Sequence, residues 1–246
     1  MISKTRVKYI QSLSHKKFRD ADRVFVAEGP KIVSELLQQS TADVKEIYAT
    51  TNWASQNESA LAHFQALLTI VENHELEKIS FLSTSNQVLA LCSQPDFTPY
   101  PIDQKVSLVL DTIQDPGNLG TIVRTADWFG IDNIFCSADS ADIFAPKVVQ
   151  STMASIIRVQ VSYIDLADFV RKHQHLGVYA AALDGKSLYE FESIRHGLIL
   201  IGNESKGLSP ELLKLSNHRV CIPGKGKAES LNAAVAAGII LSQLVR

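Results

Sequence analysis

The sequence predicts an α/β protein in which a smaller α/β domain precedes a C-terminal domain built on a parallel sheet. Three observations carry this. From residue 105 onward, short apolar runs alternate with helix-like stretches, the pattern of a parallel sheet covered on both faces. Gln94 to Pro101 holds three prolines in eight residues, which neither a helix nor a central strand tolerates. The chain has 246 residues, enough for one large domain or two small ones. We place the boundary in the proline-rich stretch, giving domains 1–98 and 99–246.

In the first domain, residues 4–14 read as a helix and 25–27 as a short strand. Residues 31–39 place Ile32, Val33, Leu36 and Leu37 at helical spacing. Residues 44–49 read as a strand, 58–68 as a helix and 69–71 as a strand. In the second domain, strands are expected at 106–111, 133–136, 158–161, 177–181, 198–201 and 219–222. Helices are expected near 118–129, 145–152, 165–174, 209–215 and 230–244.

Composition excludes several classes. No run approaches the roughly 18 apolar residues of a membrane span. The start of the chain is basic but lacks the apolar core of a secretory signal. The three cysteines, Cys92, Cys136 and Cys221, are far apart and suggest neither a disulfide framework nor a metal site. A cytoplasmic protein is expected. The net charge of −2 conceals an asymmetry: residues 1–31 carry eight lysines and arginines against three carboxylates, so the remainder is acidic. A basic end suits contact with phosphates, and equally a solvated basic helix.

Ligands of parallel sheets sit beyond the carboxyl ends of strands, so the loops after strands are where chemistry is sought. The first such loop runs from Leu110 to Ala126. Pro116 and Gly117 turn the chain, and Asn118 is read as the helix N-cap. Leu119, Ile122, Val123, Ala126 and Phe129 form an apolar stripe from which Arg124 points away. Alone, Arg124 could be a solvated surface residue; near a strand end it could bind phosphate with both arms of its guanidinium. The second loop, Gly202-Asn-Glu-Ser-Lys-Gly207, spaces its glycines like a phosphate-binding loop. Leu208 stands where that loop needs lysine, so triphosphate hydrolysis is rejected. Ser209-Pro210 opens the next helix. The third loop follows Ile222-Pro223, carries Lys225 and Lys227, and reaches Ser230, read as opening a helix rich in alanine. Asn232 is a poor choice inside a first helical turn, so a specific bond is expected of it. No Gly-x-Gly-x-x-Gly follows a strand, which argues against a nicotinamide enzyme.

Together the three loops resemble the three motifs of the SpoU (TrmH) family of RNA 2'-O-ribose methyltransferases. Asn118, Gly120 and Arg124 match the first, Gly202, Asn203, Glu204 and Gly207 the second, and Ile222, Pro223, Glu229, Ser230, Leu231 and Asn232 the third. The matching region is about residues 105–246. The first hundred residues are similar, more loosely, to a fused substrate-binding domain. One departure is Gly224, where the family often carries methionine.

The resemblance implies a deep trefoil knot in the C-terminal domain and S-adenosylmethionine as cofactor. Backbone at Gly202, Ile222 and Leu231 would hold the cofactor's adenine and ribose. Asn118, Arg124, Glu204, Ser230 and Asn232 would form the catalytic set. The resemblance further implies a homodimer acting on RNA, with ribosomal RNA favoured over transfer RNA by the fused domain, and no metal or membrane. Because a guanidinium holds its proton tenaciously, Arg124 is assigned as a clamp on the phosphate and the developing alkoxide rather than a literal base. Two alternatives stay open: a non-catalytic RNA-binding protein of the same fold, and a base methyltransferase acting on guanine N1.

Overall fold

The computed structural model describes residues 1–97 and 101–245. Thr98, Pro99 and Tyr100 of the expected linker lie outside the described residues. The chain divides into two compact units, residues 1–96 with 142–157 and residues 97–141 with 158–246.

The first unit opens with α1 (Lys4–Ser12), whose N-cap Ser3 accepts from the Arg6 N–H, and α2 (Lys16–Asp22). Then come β1 (Val24–Glu28), α3 (Pro30–Gln38), β2 (Val44–Ala49), α4 (Thr51–Gln56), α5 (Glu58–Leu61), β3 (Leu68–Ile70), α6 (Asn73–Leu76) and β4 (Val88–Ser93). The sheet order is β1-β4-β2-β3. β4 is antiparallel to β1 and β2, and β3 is parallel to β2. α3 buries Ile32, Val33, Leu36 and Leu37, the stripe its spacing predicts. The helix expected over 58–68 ends at Leu61, followed by a short 3-10 turn at Gln65–Leu67. Pairing of Leu68 with Ile47 starts the strand early, so sheet register overrides local propensity. α1, β1, β2 and β4 share a core that includes Ile10, Leu13, Val26, Tyr48, Leu89 and Leu91.

In the second unit, β5 (Val106–Leu110) leads into α7 (Pro116–Trp128) and β6 (Asn133–Cys136). The next helix, α8 (Pro146–Thr152), belongs to the first unit and packs on β1. There Phe144 stacks on Phe25 at 5.7 Å between ring centroids, and Asp142 pairs with the buried Arg19. Arg19 also donates to the carbonyls of Leu13 (2.6 Å) and Ser14 (2.8 Å). Residues 142–157 lie beyond the proline-rich boundary in sequence yet cluster with residues 1–96; the long-range contacts that hold them there have no local signature.

The second unit continues with β7 (Gln160–Tyr163), α9 (Leu166–Lys172), β8 (Val178–Ser187), β9 (Gly197–Ile201), α10 (Pro210–Leu215), β10 (His218–Cys221) and α11 (Ala233–Leu244). The six strands run in the order β10-β8-β9-β5-β6-β7, and every neighbouring pair is parallel. β5 and β9 are buried at every position, as central strands of a covered parallel sheet are. β8 is longer than expected. Its register against β10 jumps from Ala180↔Arg219 to Lys186↔Val220, so residues 181–185 stand out of the ladder. α7 buries Leu119, Ile122, Val123 and Ala126, about 2 kcal/mol for each large aliphatic side chain. That anchors the helix that follows the first loop.

Candidate active site

Two of the three loops leave neighbouring strands. β5 and β9 pair along their whole lengths, Leu110 opposite Ile201, so the loops after them emerge side by side. Buried Asp111 stitches them together: its Oδ2 accepts from the Ser209 N–H at 2.8 Å, and its Oδ1 accepts from the Thr112 hydroxyl at 3.0 Å. Asn203 adds a second stitch. Its Nδ2 donates to the Thr112 carbonyl at 2.9 Å, while its Oδ1 accepts from the Ser205 and Lys206 N–H groups at 3.0 and 3.1 Å.

Thr112 holds φ +58, an uncommon conformation for a residue with a side chain. Ser137 Oγ accepts its N–H at 2.8 Å, and Ser140 Oγ accepts the Ile113 N–H at 3.1 Å. Gly202 cannot be replaced without movement. A Cβ there would lie 2.3 Å from Gly207 C and Leu208 N, because the loop folds back so that Asn203 and Gly207 exchange backbone hydrogen bonds.

α7 starts one turn earlier than expected. Pro116 occupies its first position and Asp115 is the N-cap, accepting from the Asn118 N–H at 2.8 Å. Asn118 is therefore not the cap. Proline fits the first helical position because no partner is needed for its missing N–H, and this shifts the cap to Asp115. The Asn118 side chain is thereby free to reach elsewhere.

It joins the three motifs. Asn118 Nδ2 donates to Glu204 Oε1, and Asn118 Oδ1 accepts from Asn232 Nδ2 at 2.8 Å. Asn232 Oδ1 in turn accepts the Ala234 and Val235 N–H groups at 3.0 and 3.2 Å. The direction of the chain is forced. As N-cap of α11, Asn232 must present its oxygen to the helix, so its NH2 meets the Asn118 carbonyl oxygen. The Asn118 NH2 then faces the carboxylate. Hydrogen bonds aligned in one sense reinforce one another. This is the specific bond expected of Asn232, and it identifies Asn232, not Ser230, as the residue that opens the last helix.

The other site residues are placed differently. Arg124 is exposed on α7 and makes no hydrogen bond or ion pair among the described residues. Ser230 lies in the exposed loop before α11, outside the Asn118–Glu204–Asn232 tie. Leu231 is 44% exposed and Ile222 half-buried. Gly224 and Gly226 face open space. Among the described residues no cluster of histidine, cysteine, aspartate or glutamate is placed to hold a metal ion. Sequence reasoning missed Asp111, Asp115 and Asn203 as organising residues. Asp111 and Asp115 could have been sought as the polar residues that end a strand and precede a proline.

A parallel sheet whose adjacent strand-end loops are bound by a Glu204–Asn118–Asn232 tie, with an exposed arginine on α7, places the three motifs of a SpoU-type RNA methyltransferase together. Residues 105–242 match the model of the SpoU rRNA methylase family, and residues 4–90 match that of the MRM3-like substrate binding domain. The 23S rRNA (guanosine(2553)-2'-O)-methyltransferase RlmP of Bacillus subtilis is 32% identical, over 97% of this chain and 95% of that protein. An rRNA methyltransferase from Sinorhizobium meliloti, solved with S-adenosylmethionine bound, superposes with a TM-score of 0.83 at 30% identity, covering 98% of this chain and 95% of that one. A TrmH-family structure from Porphyromonas gingivalis gives 0.82 at 33% identity, covering 98% and 97%. The chain belongs to the SpoU rRNA methylase family, whose methyl donor is S-adenosylmethionine.

Proposed function

We propose that this chain methylates a ribose 2'-hydroxyl of ribosomal RNA. The observation that carries the reading is the tie itself: one residue from each motif, Asn118, Glu204 and Asn232, in a single hydrogen-bonded chain. The relatives named for 23S rRNA 2'-O-methylation support the substrate class.

The residues present fit the cofactor. Backbone at Gly202, Ile222 and Leu231 would hold its adenine and ribose; the Leu231 side chain is exposed, and the space around Gly224 and Gly226 is open. When bound, S-adenosylmethionine supplies an electrophilic methyl group. The chain's own residues supply geometry and charge. Arg124, exposed and uncommitted, clamps the phosphate beside the target ribose and stabilises negative charge growing on the 2'-oxygen. Asn118, itself held by Asn232, fixes the Glu204 carboxylate, and with Ser230 these residues orient the ribose and the arginine. Lys225 and Lys227 line the loop along which a polyanion would lie.

The same reading makes the enzyme a homodimer. Trp128 at the end of α7 is 85% exposed and Val235 on α11 is 50% exposed, apolar surface that a second copy would cover. It also includes the trefoil knot. α11 packs against α7, and the Leu244 carbonyl at its end accepts from the Ile194 N–H at 2.7 Å; the knot itself is carried over from the family resemblance. No helix among the described residues is long and apolar enough to cross a membrane, and the reading puts the enzyme with its RNA in the cytoplasm.

The test is transfer of labelled methyl from S-adenosylmethionine to unmodified ribosomal RNA and transfer RNA, with cofactor binding measured separately. Label in ribosomal RNA is expected. Label in transfer RNA alone overturns the substrate class, and absence of both transfer and cofactor binding favours the non-catalytic RNA binder.

A further inference from the structure

The first unit holds a cavity that the methyl-transfer chemistry does not use. It has a volume of about 310 Å3 and is lined by Thr50, Thr51 and Asn52 after β2, Val71, Glu72 and Asn73 after β3, and Gln87 before β4. That size is at the lower end of ligand pockets. Its position follows from topology. β2 and β3 are parallel and β4 runs against β2, so the exits of two strands and the entry of a third meet at one end of the sheet. Two backbone bonds fix the rim: the Thr50 N–H donates to the Gln87 carbonyl at 2.8 Å, and the Val71 N–H donates to the Ala49 carbonyl at 2.9 Å. Gln87 holds φ +57. Left-handed backbone in a residue with a side chain costs on the order of 1 kcal/mol, and strain of this kind gathers at ligand sites.

The wall selects its ligand by chemistry. Its lining residues carry three amides, two hydroxyls and one carboxylate beside the apolar Val71, with no lysine or arginine among them; Thr50 also caps α4 and Glu72 caps α6. A phosphate would meet Glu72 without a compensating cation. An apolar ligand would leave the amides without partners, which is costly. A planar heterocycle with N–H donors and carbonyl acceptors on its edge satisfies both kinds of group. The polymer that brings such a heterocycle is RNA, on the RNA-methyltransferase reading above. Lys4 and Lys8 on α1 and Lys31 on α3 are exposed on the same unit, in no ion pair among the described residues, and supply attraction for its backbone.

We propose that this cavity holds one unpaired nucleobase of the RNA substrate, read at its edge by Asn52, Glu72, Asn73 and Gln87. Single-stranded bases splayed out of a fold are the usual targets of sequence-specific RNA recognition. The site therefore selects the RNA, and the three loops of the second unit modify it.

The experiment uses the full chain and in vitro transcribed 23S rRNA, with affinity measured in the absence of cofactor. The double variant Asn73→Ala/Gln87→Ala should raise the RNA Kd roughly tenfold, the size of one or two lost base contacts. It should raise KM for methyl transfer in step and leave kcat at saturating RNA unchanged. Thermal melting verifies its fold, and Asn52→Ala, an exposed single change, provides a second variant. RNA carrying 6-thioguanosine or 4-thiouridine should photocrosslink to peptides containing residues 50–52, 72–73 or 87. A Kd within twofold of the parent for both folded variants, or crosslinks confined to other peptides, overturns the proposal. Failure of methyl transfer would sink the methyltransferase reading without touching the affinity and crosslink results.

Discussion

Asn118, Glu204 and Asn232 are bonded to one another and to the backbone of α11, whereas Arg124, Ser230 and Leu231 stand exposed around them. The two sets come from the same three motifs, and their difference separates two tasks. The bonded set holds the loops of non-adjacent segments in one geometry before any ligand arrives. On the proposed function, the open set keeps its groups uncommitted, so that their interactions would form with substrate and strengthen as charge develops. A site needs both, since preorganised groups stabilise a transition state only if their supports do not move.

Substitutions can break that contrast, beginning with the largest effect. Arg124→Ala should abolish detectable turnover, a loss of about a thousandfold or more, as when a donor to a developing oxyanion is removed. Cofactor affinity by calorimetry and the melting temperature should be unchanged; an equal loss of cofactor binding would place Arg124 in the bonded set. Asn118→Ala should lower kcat about a hundredfold and also destabilise the fold by roughly 1–3 kcal/mol, because Glu204 and Asn232 both lose a partner. Urea unfolding reads the stability and single-turnover kinetics the rate. Asn232→Ala removes a helix cap, worth about 1 kcal/mol, along with the bond to Asn118. Its unfolding midpoint should fall, and a double-mutant cycle with Asn118→Ala should be non-additive. Ser230→Ala should leave the unfolding midpoint where it is and affect only activity. The thiols extend the contrast between enclosed and open groups. Burial pushes Cys92 and Cys136 each up to about 12, so at pH 8 neither forms appreciable thiolate in the native protein. Iodoacetamide should modify the half-exposed Cys221 first, and equal labelling of all three would contradict the packing around the two buried ones.

The parallel sheet was legible because its strands are continuous apolar runs separated by turn residues, and all six begin within two residues of where those runs place them, although β8 runs on to Ser187. The tie was legible only in part. Asn232 was recognisable as a misfit in a first helical turn, but its partner is 114 positions away and nothing local points to it. Asn118 was misassigned as a cap because asparagine favours that position; the decisive residue was Pro116, which moves the helix start. β4 escaped notice altogether, although its run Val88–Cys92 is continuously apolar and buried throughout, the same pattern that marks the strands of the parallel sheet. Likewise α8 reads correctly as a helix, while its membership of the first unit depends on Arg19–Asp142 and Phe25–Phe144, contacts that only folding brings together.

The most direct test of the central claim is the identity of the methylated nucleoside. Ribosomal RNA methylated by the enzyme should be digested to nucleosides and separated by mass-resolved chromatography. The account predicts a single 2'-O-methylnucleoside, resistant to alkali at its 3' linkage, and none with Arg124→Ala. Label recovered in 1-methylguanosine would contradict it, and would mean that the tie and the arginine orient a base rather than a ribose.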